Sequence, residues 1–447
     1  MSPSPRRGVN QTVIILGAAG RDFFNFDVVF RNNPRYHVAC FTAAQIPDIA
    51  GRRYPPVLAG KRYPKGIPIF PEEQLPALVK RFRADVCVLA YSDLSAQDVL
   101  DKAAIVQAAG ADFLLLGPQS TMLRSRKPVV AVTAVRTGCG KSETTRHVVS
   151  ILRTLGKRAV AIRHPMPYGD LARQAVQRFA APADLAKQHT TIEEREEYEP
   201  LIEMGAVVFA GVDYARILAA AEKEADVIVW DGGNNDIPFY RPDLWICIAD
   251  PHRPGHERSY YPGQVNARAA DVLIINKEKT APAGSVERVR SSLRLLNPRA
   301  TIVDADSIIT LESPVSLRGK RVLVVEDGPT LTHGGMAYGA GTIAARSHGA
   351  IPVDPRPCLR GSLREVFARY PHLGAVLPAM GYGAAQIREL EQTINATPCD
   401  AVISGTPIDL RRVLKSKKPI VRTRYELLER GKPDLEGILA AFVRRKR

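Results

Sequence analysis

The chain has 447 residues, enough for two or three domains of roughly 100 to 200 residues each. Hydrophobic residues make up 45% and charged residues 24%. No apolar run approaches the roughly 18 to 20 residues that span a bilayer, so we expect neither a membrane-spanning nor a fibrous protein. The net charge of +16 arises in residues 1–83, with 13 basic and 5 acidic side chains, and in residues 411–447, with 13 and 4. These basic ends favour a small polyanionic substrate, and nucleic acid is a weaker candidate because no known binding module accompanies the charge.

Apolar runs of strand length alternate with helical patterns along the whole chain. Because they are short and almost continuously apolar, they predict buried parallel strands, with helices over 141–155 and 284–296 between them. The sequence therefore predicts an α/β protein with three-layer parallel-sheet domains. In chain order the runs are TVIILG, HVACFT, VCVLAYS, FLLLG, PVVAVTAV, RAVAIR, VIVWD, LWICIAD, VLIIN, TIVDAD, RVLVVED, AVLPAM, AVISG and PIVRTRY.

Two segments that interrupt this alternation, GPQSTMLRSRKP and LESPVSLRGK, divide the chain into three blocks. We predict a Rossmann-like N-terminal domain over 1–125, a P-loop NTPase domain over 126–310 and a C-terminal α/β substrate-binding region over 311–447. The six cysteines are scattered without a C-x-x-C pair, and the amino terminus lacks a signal-peptide pattern. Both features predict a cytoplasmic protein.

In the first block, GAAGRDFFNF follows the first strand but does not match G-x-G-x-x-G. A dinucleotide site is therefore not favoured there, and Arg21 and Asp22 are candidates to face an anion.

The strongest motif is PVVAVTAVRTGCGKSETTRHVV, a buried strand, a glycine-rich turn and an amphipathic helix. This order is the context that a P-loop requires. Gly138 and Gly140 allow backbone N–H groups to surround phosphate oxygens, Lys141 reaches the β and γ phosphates, and the Ser142 hydroxyl binds Mg²⁺. The motif predicts a nucleoside triphosphate site that also includes Cys139 and Glu143.

The loop departs from the usual motif, because Val135 replaces its first glycine. Arg136 lies five residues before Lys141, where P-loop proteins with a deviant Walker A motif carry an extra lysine. It either contacts phosphate or lies exposed on the loop. Asp231, at the end of VIVWD, is predicted to hold a Mg²⁺ water or to position a nucleophile beside the loop.

Asn276 and Lys277 follow the strand VLIIN as in the N-K-x-D element of GTPases, and we expect both to contact the nucleotide. The position of the guanine-reading aspartate is occupied by Lys279, which cannot accept hydrogen bonds from the base. The sequence therefore favours ATP over GTP, and GTP stays open as an alternative because another segment could read the base.

Further loops follow predicted strands, at the edge where open α/β sheets bind ligands. DPHRPGHE supplies His252, Arg253 and His256, which are predicted either to contact substrate phosphate or to form a structural loop. EDGPTLTHGG resembles a second anion cradle, or else its glycines serve packing between domains. Its substrate-binding candidates are Thr332, His333, Gly334 and Gly335.

In TIEEREEYEP, Glu194 is a candidate metal ligand, although Thr191 and Glu194 also form a helix capping box. RHPMPYGDL, with Arg163, His164 and Asp170, is a comparable candidate.

Taken together and in order, VRTGCGKS, TIEEREEYEP, GVDY, WDGGNND, DPHRPGHE, EDGPTLTHGGMAYGAG and SGTPIDL resemble the cyclic 2,3-diphosphoglycerate synthetase family. The resemblance implies a cytoplasmic ATP-dependent synthetase that closes 2,3-diphosphoglycerate through an intramolecular phosphoanhydride, giving ADP and Pi. It also implies a need for Mg²⁺, with K⁺ favouring activity, and we expect a homodimer. Two alternatives remain open: a regulatory or metal-delivery GTPase, and a nucleic-acid-binding ATPase.

Overall fold

The computed structural model is a mixed α/β protein with two large sheets. It describes residues 10–18, 20–43, 51–163, 169–312, 316–332, 335–380 and 384–446. Among these residues, no helix has the length and apolar character needed to cross a membrane.

The first block forms a six-stranded sheet in the order β3-β4-β2-β1-β5-β7, with helices on its faces. The strands of this sheet are β1 (Gln11–Leu16), β2 (Tyr36–Ala43), β3 (Arg53–Tyr54), β4 (Ile67–Pro71), β5 (Val86–Leu89) and β7 (Asp112–Leu115). The short strand β6 (Leu94–Ser95) of the same block lies outside it. The α-helices of the block are α1 (Arg21–Asn25), α2 (Pro56–Ala59), α3 (Leu75–Phe82), α4 (Ala96–Ala109) and α5 (Pro118–Thr121).

The second block carries the P-loop. Its strands are β8 (Val129–Ala134), β9 (Ala159–Arg163), β10 (Gln177–Phe179), β11 (Val207–Ala210), β12 (Val227–Asp231), β13 (Leu244–Ala249), β14 (Tyr260–Tyr261), β15 (Val272–Ile275) and β16 (Thr301–Leu311). Its α-helices are α6 (Lys141–Thr154), α7 (Pro182–Lys187), α8 (Ile192–Glu203), α9 (Tyr214–Glu224), α10 (His256–Ser259), α11 (Gly263–Ala269) and α12 (Ser285–Leu296).

The third block completes the larger sheet. Its strands are β17 (Arg321–Asp327), β18 (Ile351–Pro352), β19 (Leu377–Ala379), β20 (Ala401–Ser404) and β21 (Ile420–Glu429). Its α-helices are α13 (Gly328–Thr332), α14 (Ala340–Ser347), α15 (Leu363–Arg369), α16 (Ala384–Ala396) and α17 (Leu435–Arg445).

The second and third blocks share one 13-stranded sheet, ordered β10-β11-β9-β12-β8-β13-β15-β16-β21-β20-β17-β18, with β19 also on β17. β16 joins the two blocks, since it pairs parallel with β15 and then antiparallel with β21. β8 lies between β12 and β13, so the loop after it is flanked by the carboxyl ends of both.

The predicted α/β class is confirmed, and each predicted strand-like run forms a strand. The predicted parallel direction was wrong for the runs TIVDAD and PIVRTRY, which form β16 and β21 and pair antiparallel. Two pairs outside the predicted runs, β10 with β11 and β3 with β4, are also antiparallel. Apolar periodicity marks a buried strand but not its direction. The predicted boundaries at residues 125 and 310 stay predictions, and the second lies at the end of β16, inside the shared sheet.

Candidate nucleotide-binding site

The phosphate-binding loop joins β8 to α6 and depends on two glycines in left-handed conformations. Gly138 has φ of +84° and Gly140 has φ of +106°, which residues with a side chain rarely adopt. A Cβ on Gly140 would lie 2.2 Å from Asn276 Nδ2 and 2.4 Å from Glu143 Oε1. Gly140 is therefore required by both its backbone conformation and the space around it.

Three consecutive carbonyl groups of the loop accept hydrogen bonds from side chains behind it. Arg253 Nη2 donates to the Thr137 oxygen at 2.8 Å, and Lys277 Nζ donates to the Gly138 oxygen. Asn276 Nδ2 donates to the Cys139 oxygen at 3.0 Å. Because the C=O and N–H of a trans peptide point in opposite directions, these bonds direct the loop's N–H groups to its open side.

This arrangement changes the roles predicted for three residues. Arg253 was predicted to bind substrate, and Asn276 and Lys277 to contact nucleotide, yet in the structure all three bond the back of the loop. Asp250 forms ion pairs with two of these side chains, since its Oδ2 lies 3.4 Å from Arg253 Nη2 and 3.2 Å from Lys277 Nζ. Burial disfavours the charged form of Asp250, but these two cations outweigh it and lower the pKa of its carboxyl.

A buried chain of charges runs from the loop toward α8. Lys141 Nζ lies 2.5 Å from Asp231 Oδ1, and Arg163 contacts both Asp231 and Glu197. Burial, and then the nearby charge of Arg163, lower the pKa of Lys141 well below its ordinary value. Asp231 is thus the counter-ion of Lys141 in the ligand-free chain, and an arriving phosphate would give Lys141 a second anionic partner.

Ser142 and Asp231 suit Mg²⁺ held together with phosphate oxygens. Mg²⁺ in such sites takes one or two protein oxygens, and its other ligands are water and phosphate. In the described part of the chain, no group of three or more His, Cys, Asp or Glu side chains is placed to hold a metal ion without such help. The residues present therefore fit Mg²⁺ that enters with a nucleotide.

Glu194, the other predicted metal ligand, caps α8 in the structure. Its Oε2 accepts a hydrogen bond from the Thr191 N–H at 2.8 Å, and Thr191 Oγ1 accepts one from the Glu194 N–H at 3.2 Å. Burial raises the pKa of Glu194 to about 7. The capping box read from the sequence is present, and a metal role for this carboxylate stays a prediction.

Arg136, predicted to contact phosphate, packs against the first block. Its Nε lies 3.0 Å from Asp93, and its guanidinium lies 3.8 Å from the centre of the Tyr260 ring. His256 is 3.4 Å from Arg136, and burial followed by this cation lowers the pKa of His256 to about 4. His252 contacts Thr280 at 2.9 Å, and burial also lowers its pKa. Both shifts favour the neutral imidazole, and a role of His252 and His256 in substrate binding stays a prediction.

A buried carboxylate occupies a group of backbone N–H groups that follows the predicted second anion cradle along the chain. Glu326, at the end of β17, accepts hydrogen bonds from the N–H groups of Gly339 and Gly341 at 3.0 Å and of Thr342 at 2.7 Å. These groups lie at the amino terminus of α14, where unpaired N–H groups attract an anion. These three amides are therefore occupied by Glu326, and phosphate binding by the predicted residues Thr332 to Gly335 stays a prediction.

Thr332, from the same predicted set, donates to the Gly328 oxygen at 2.9 Å, and Gly335 has φ of +65°. His333, Gly334 and His164 lie outside the described residues.

Buried carboxylates face the third block from α8, and sequence reasoning missed how they are paired. Glu196 accepts a hydrogen bond from Thr406 Oγ1 at 2.6 Å, and the charge of Asp327 lies close to it. Burial, and then Asp327, raise the pKa of Glu196 well above its ordinary value. The run TIEEREEYEP marked these acids, but Asp327 lies more than a hundred residues away and no local pattern connects the two.

Two routes connect these carboxylates with the phosphate-binding loop. Asp327 Oδ2 accepts a hydrogen bond from the Thr330 N–H at 3.1 Å, and Thr330 Cγ2 would lie 3.9 Å from a Cβ on Gly138. On the other side, Glu197 reaches Lys141 through Arg163 and Asp231. Carboxylates of α8 and β17 therefore lie within a few side chains of the place where the γ-phosphate would be.

The chain is similar over almost its whole length to arginine synthetase ArcE of Thermococcus kodakarensis. The two are 60% identical over 433 residues, which cover 97% of each chain. No protein-family model matches the sequence.

Solved structures resemble the chain more distantly. The ATP complex of LpxK from Aquifex aeolicus covers 78% of this chain and 95% of its own, with 11% identity and a TM-score of 0.41. The hydrogenase maturation factor HypB of Archaeoglobus fulgidus covers 47% and 89%, with 17% identity and a TM-score of 0.26. Likenesses of this extent carry no argument about activity.

Proposed function

The chain belongs to the family of arginine synthetase ArcE, and we propose on this basis that it is an ATP-dependent synthetase whose product is arginine. Arginine differs from its ureido analogue, citrulline, only by a nitrogen in place of the ureido oxygen. We propose citrulline, ammonia and ATP as the substrates, and arginine, ADP and inorganic phosphate as the products.

The observation that carries this proposal is the set of buried carboxylates beside the phosphate-binding loop. Glu196 is 4% exposed, and burial, followed by the nearby charge of Asp327, raises the pKa of its carboxyl well above the ordinary value, which favours its protonated form. A guanidinium group binds carboxylates with paired hydrogen bonds, whereas 2,3-diphosphoglycerate, which carries two phosphates and a carboxylate, would be repelled by them. The local charge therefore favours a substrate that becomes cationic.

The reaction needs two displacements. The ureido oxygen attacks the γ-phosphorus of ATP, the bond from that phosphorus to the β–γ bridging oxygen breaks, and ADP leaves. The lone pair of ammonia then attacks the ureido carbon, the carbon–oxygen bond breaks, and inorganic phosphate leaves. The protons lost from nitrogen pass to base, and the product keeps one positive charge.

The residues of the chain supply distinct parts of this chemistry. The loop N–H groups and Lys141 bind the charge that develops on the transferring phosphoryl group. Bound Mg²⁺, held by Ser142 and Asp231, would supply further positive charge to the phosphates. As the guanidinium forms, its positive charge favours loss of the proton from Glu196, so this carboxyl becomes a carboxylate that serves as its counter-ion.

A second candidate is cyclisation of 2,3-diphosphoglycerate, which the family resemblance of the motifs favours. It would use the same first step, with a substrate phosphate oxygen attacking the γ-phosphorus. Against it stand Glu326, which occupies the N–H groups at the amino terminus of α14, and the carboxylates of α8 near the loop.

One assay separates the two candidates. The purified chain is incubated with Mg²⁺ and ATP, in K⁺ or Na⁺ buffer, with citrulline and ¹⁵N-ammonium or with 2,3-diphosphoglycerate. We expect labelled arginine by mass spectrometry, with one ADP per arginine. A cyclic anhydride in the phosphorus NMR spectrum, without labelled arginine, would overturn the proposal and support the second candidate.

Glu196→Gln is the matched test of the carboxylate pair, because it keeps the shape and removes the charge. It should lower the rate of arginine formation at least about tenfold while ATP affinity is unchanged. Glu365→Gln, at an exposed position on α15, is the control and should behave as the wild type.

A further inference from the structure

We infer that the adenosine moiety of ATP binds in a cavity between α6, α8 and β21, away from the segment after β15 where the N-K-x-D element reads guanine. This inference rests on the use of ATP in the proposed function. The cavity measures about 530 Å³, within the range of roughly 300 to 1,000 Å³ of small-molecule sites.

The side-chain amide of the N-K-x-D segment is engaged by Glu143 in this chain. Glu143 Oε1 accepts a hydrogen bond from Asn276 Nδ2 at 2.6 Å, and its Oε2 accepts one from Ser307 Oγ at 2.7 Å. The Asn276 amide, which precedes the lysine of the motif, is thus already bonded to Glu143 and to the loop. Lys279 stands where a base-reading carboxylate would be needed.

The cavity begins where a nucleoside would leave the loop. Glu143 follows Ser142 in the first turn of α6, beside the α-phosphate position of a P-loop, and it also lines the cavity. Arg146, His147 and Ser150 continue this lining along the same side of α6. A nucleotide bound through its phosphates can therefore extend along α6 into the cavity.

The walls suit an uncharged heteroaromatic group better than an anion. Three of their four arginines are compensated, since Arg412 lies 2.8 Å from Glu199, Arg422 3.2 Å from Glu203, and Arg424 2.8 Å from Glu312. The fourth, Arg146, donates to the Tyr425 oxygen at 2.7 Å and lies over the Tyr425 ring. Tyr425, Met204 and two prolines add apolar surface. Aromatic and thioether groups pack well against a purine ring, while the carboxylates and guanidinium groups can bond its amine and nitrogens.

Photolabelling locates the base directly in the wild-type chain. The chain is irradiated with 8-azido-ATP and Mg²⁺, and the labelled peptides are identified by mass spectrometry. We expect label in residues 143–150, 200–204 or 422–427, removed by excess inorganic tripolyphosphate because the two ligands share the loop. Label confined to residues 276–281 would overturn the inference.

A cavity-filling variant gives an independent test. Met204→Trp should weaken ATP binding at least tenfold, about 1.4 kcal/mol, and leave tripolyphosphate binding within twofold of the wild type. Leu295→Trp, at a position that is 79% exposed on α12, is the matched control and should leave both affinities unchanged. If Met204→Trp fails to fold, Ser150→Trp, at an exposed position, replaces it. Unchanged ATP affinity in the folded variant would contradict the inference.

These assays measure only nucleotide binding. Failure to form arginine would overturn the proposed function and leave the cavity assignment standing. Label outside the cavity would do the reverse.

Discussion

Gly140 occupies a position where even a methyl group has no room. Gly140→Ala would place a carbon 2.2 Å from Asn276 Nδ2, in a backbone conformation with φ of +106°. We expect ATP affinity to fall at least about a hundredfold, because the Asn276 and Glu143 side chains must move to admit the methyl group and Asn276 then no longer holds the Cys139 carbonyl of the loop. Calorimetric titration with Mg²⁺ and ATP measures this loss.

Gly156→Ala is the matched control for Gly140→Ala. Gly156 has φ of +74° but nothing within 4 Å of its Cβ position. The change should cost about 1 kcal/mol of unfolding free energy through the left-handed backbone alone, and leave ATP affinity intact. Equal ATP affinities in the two variants would show that the loop tolerates the crowding.

Lys141 supplies the cation nearest to the predicted path of the γ-phosphate. Lys141→Ala removes it and leaves Asp231 paired with Arg163 alone. We expect turnover of ATP to fall at least about a hundredfold, because contacts to charge that develops in the transition state have effects of this size. Lys187→Ala, at an exposed position on α7, should leave turnover unchanged. Wild-type turnover in Lys141→Ala would place the chemistry elsewhere.

At the scale of single elements, α8 makes stability depend on pH. Burial raises the pKa of Glu194 from 4.5 to about 7, so between these values the folded chain holds a proton that the unfolded chain has lost. Folding stability contributed by this group is therefore full below about pH 4.5 and declines as pH rises toward 7. The decline is on the order of 3 kcal/mol for this difference in pKa.

Glu194→Gln removes this titration but keeps an acceptor for the Thr191 N–H, because glutamine also completes a capping box. We expect its unfolding free energy, measured with urea between pH 4.5 and pH 7, to fall less steeply than that of the wild type. Glu365→Gln should keep the wild-type slope. Parallel curves for all three chains would show that Glu194 keeps an ordinary pKa.

The same elements show what the sequence could predict. The strand β8, the loop and α6 follow each other along the chain, so one local pattern contains the strand, the glycines and the lysine, and the predicted helix over 141–155 is found as α6. The capping box of α8 is equally local. Glu326 accepts a hydrogen bond from the Gly341 N–H in α14, and Asp327 lies close to Glu196 of α8. Arg136 forms an ion pair with Asp93 of the first block. Such choices depend on tertiary packing, which no short pattern contains.

At the scale of the whole molecule, the first block contacts the second beside the phosphate-binding loop. β6 pairs with β14, Ser92 bonds Asp236, and Asp93 holds Arg136, which belongs to the loop. The second and third blocks are joined more closely, because they share a sheet and a core. All these contacts lie within one chain, so the homodimer expected from the sequence stays a prediction.

The shared core predicts that the second and third blocks unfold as one unit. Leu439 of α17 is fully buried in the same cluster as Val130 and Val132 of β8, although more than three hundred residues separate them. Leu439→Ala should cost about 2 to 5 kcal/mol, the usual range for a leucine removed from a packed core. Because β21 covers the edge of β16 from Ala305 to Leu311, we expect this loss to reach β8.

Hydrogen exchange of the β8 amides should accelerate by the factor that corresponds to the measured loss, as it does for cooperative units. Leu428→Ala, at a position that is 55% exposed on β21, should leave that exchange unchanged. Unaltered protection of β8 in a destabilised Leu439→Ala chain would mean that the blocks unfold separately, and would place a domain boundary at the end of β16 after all.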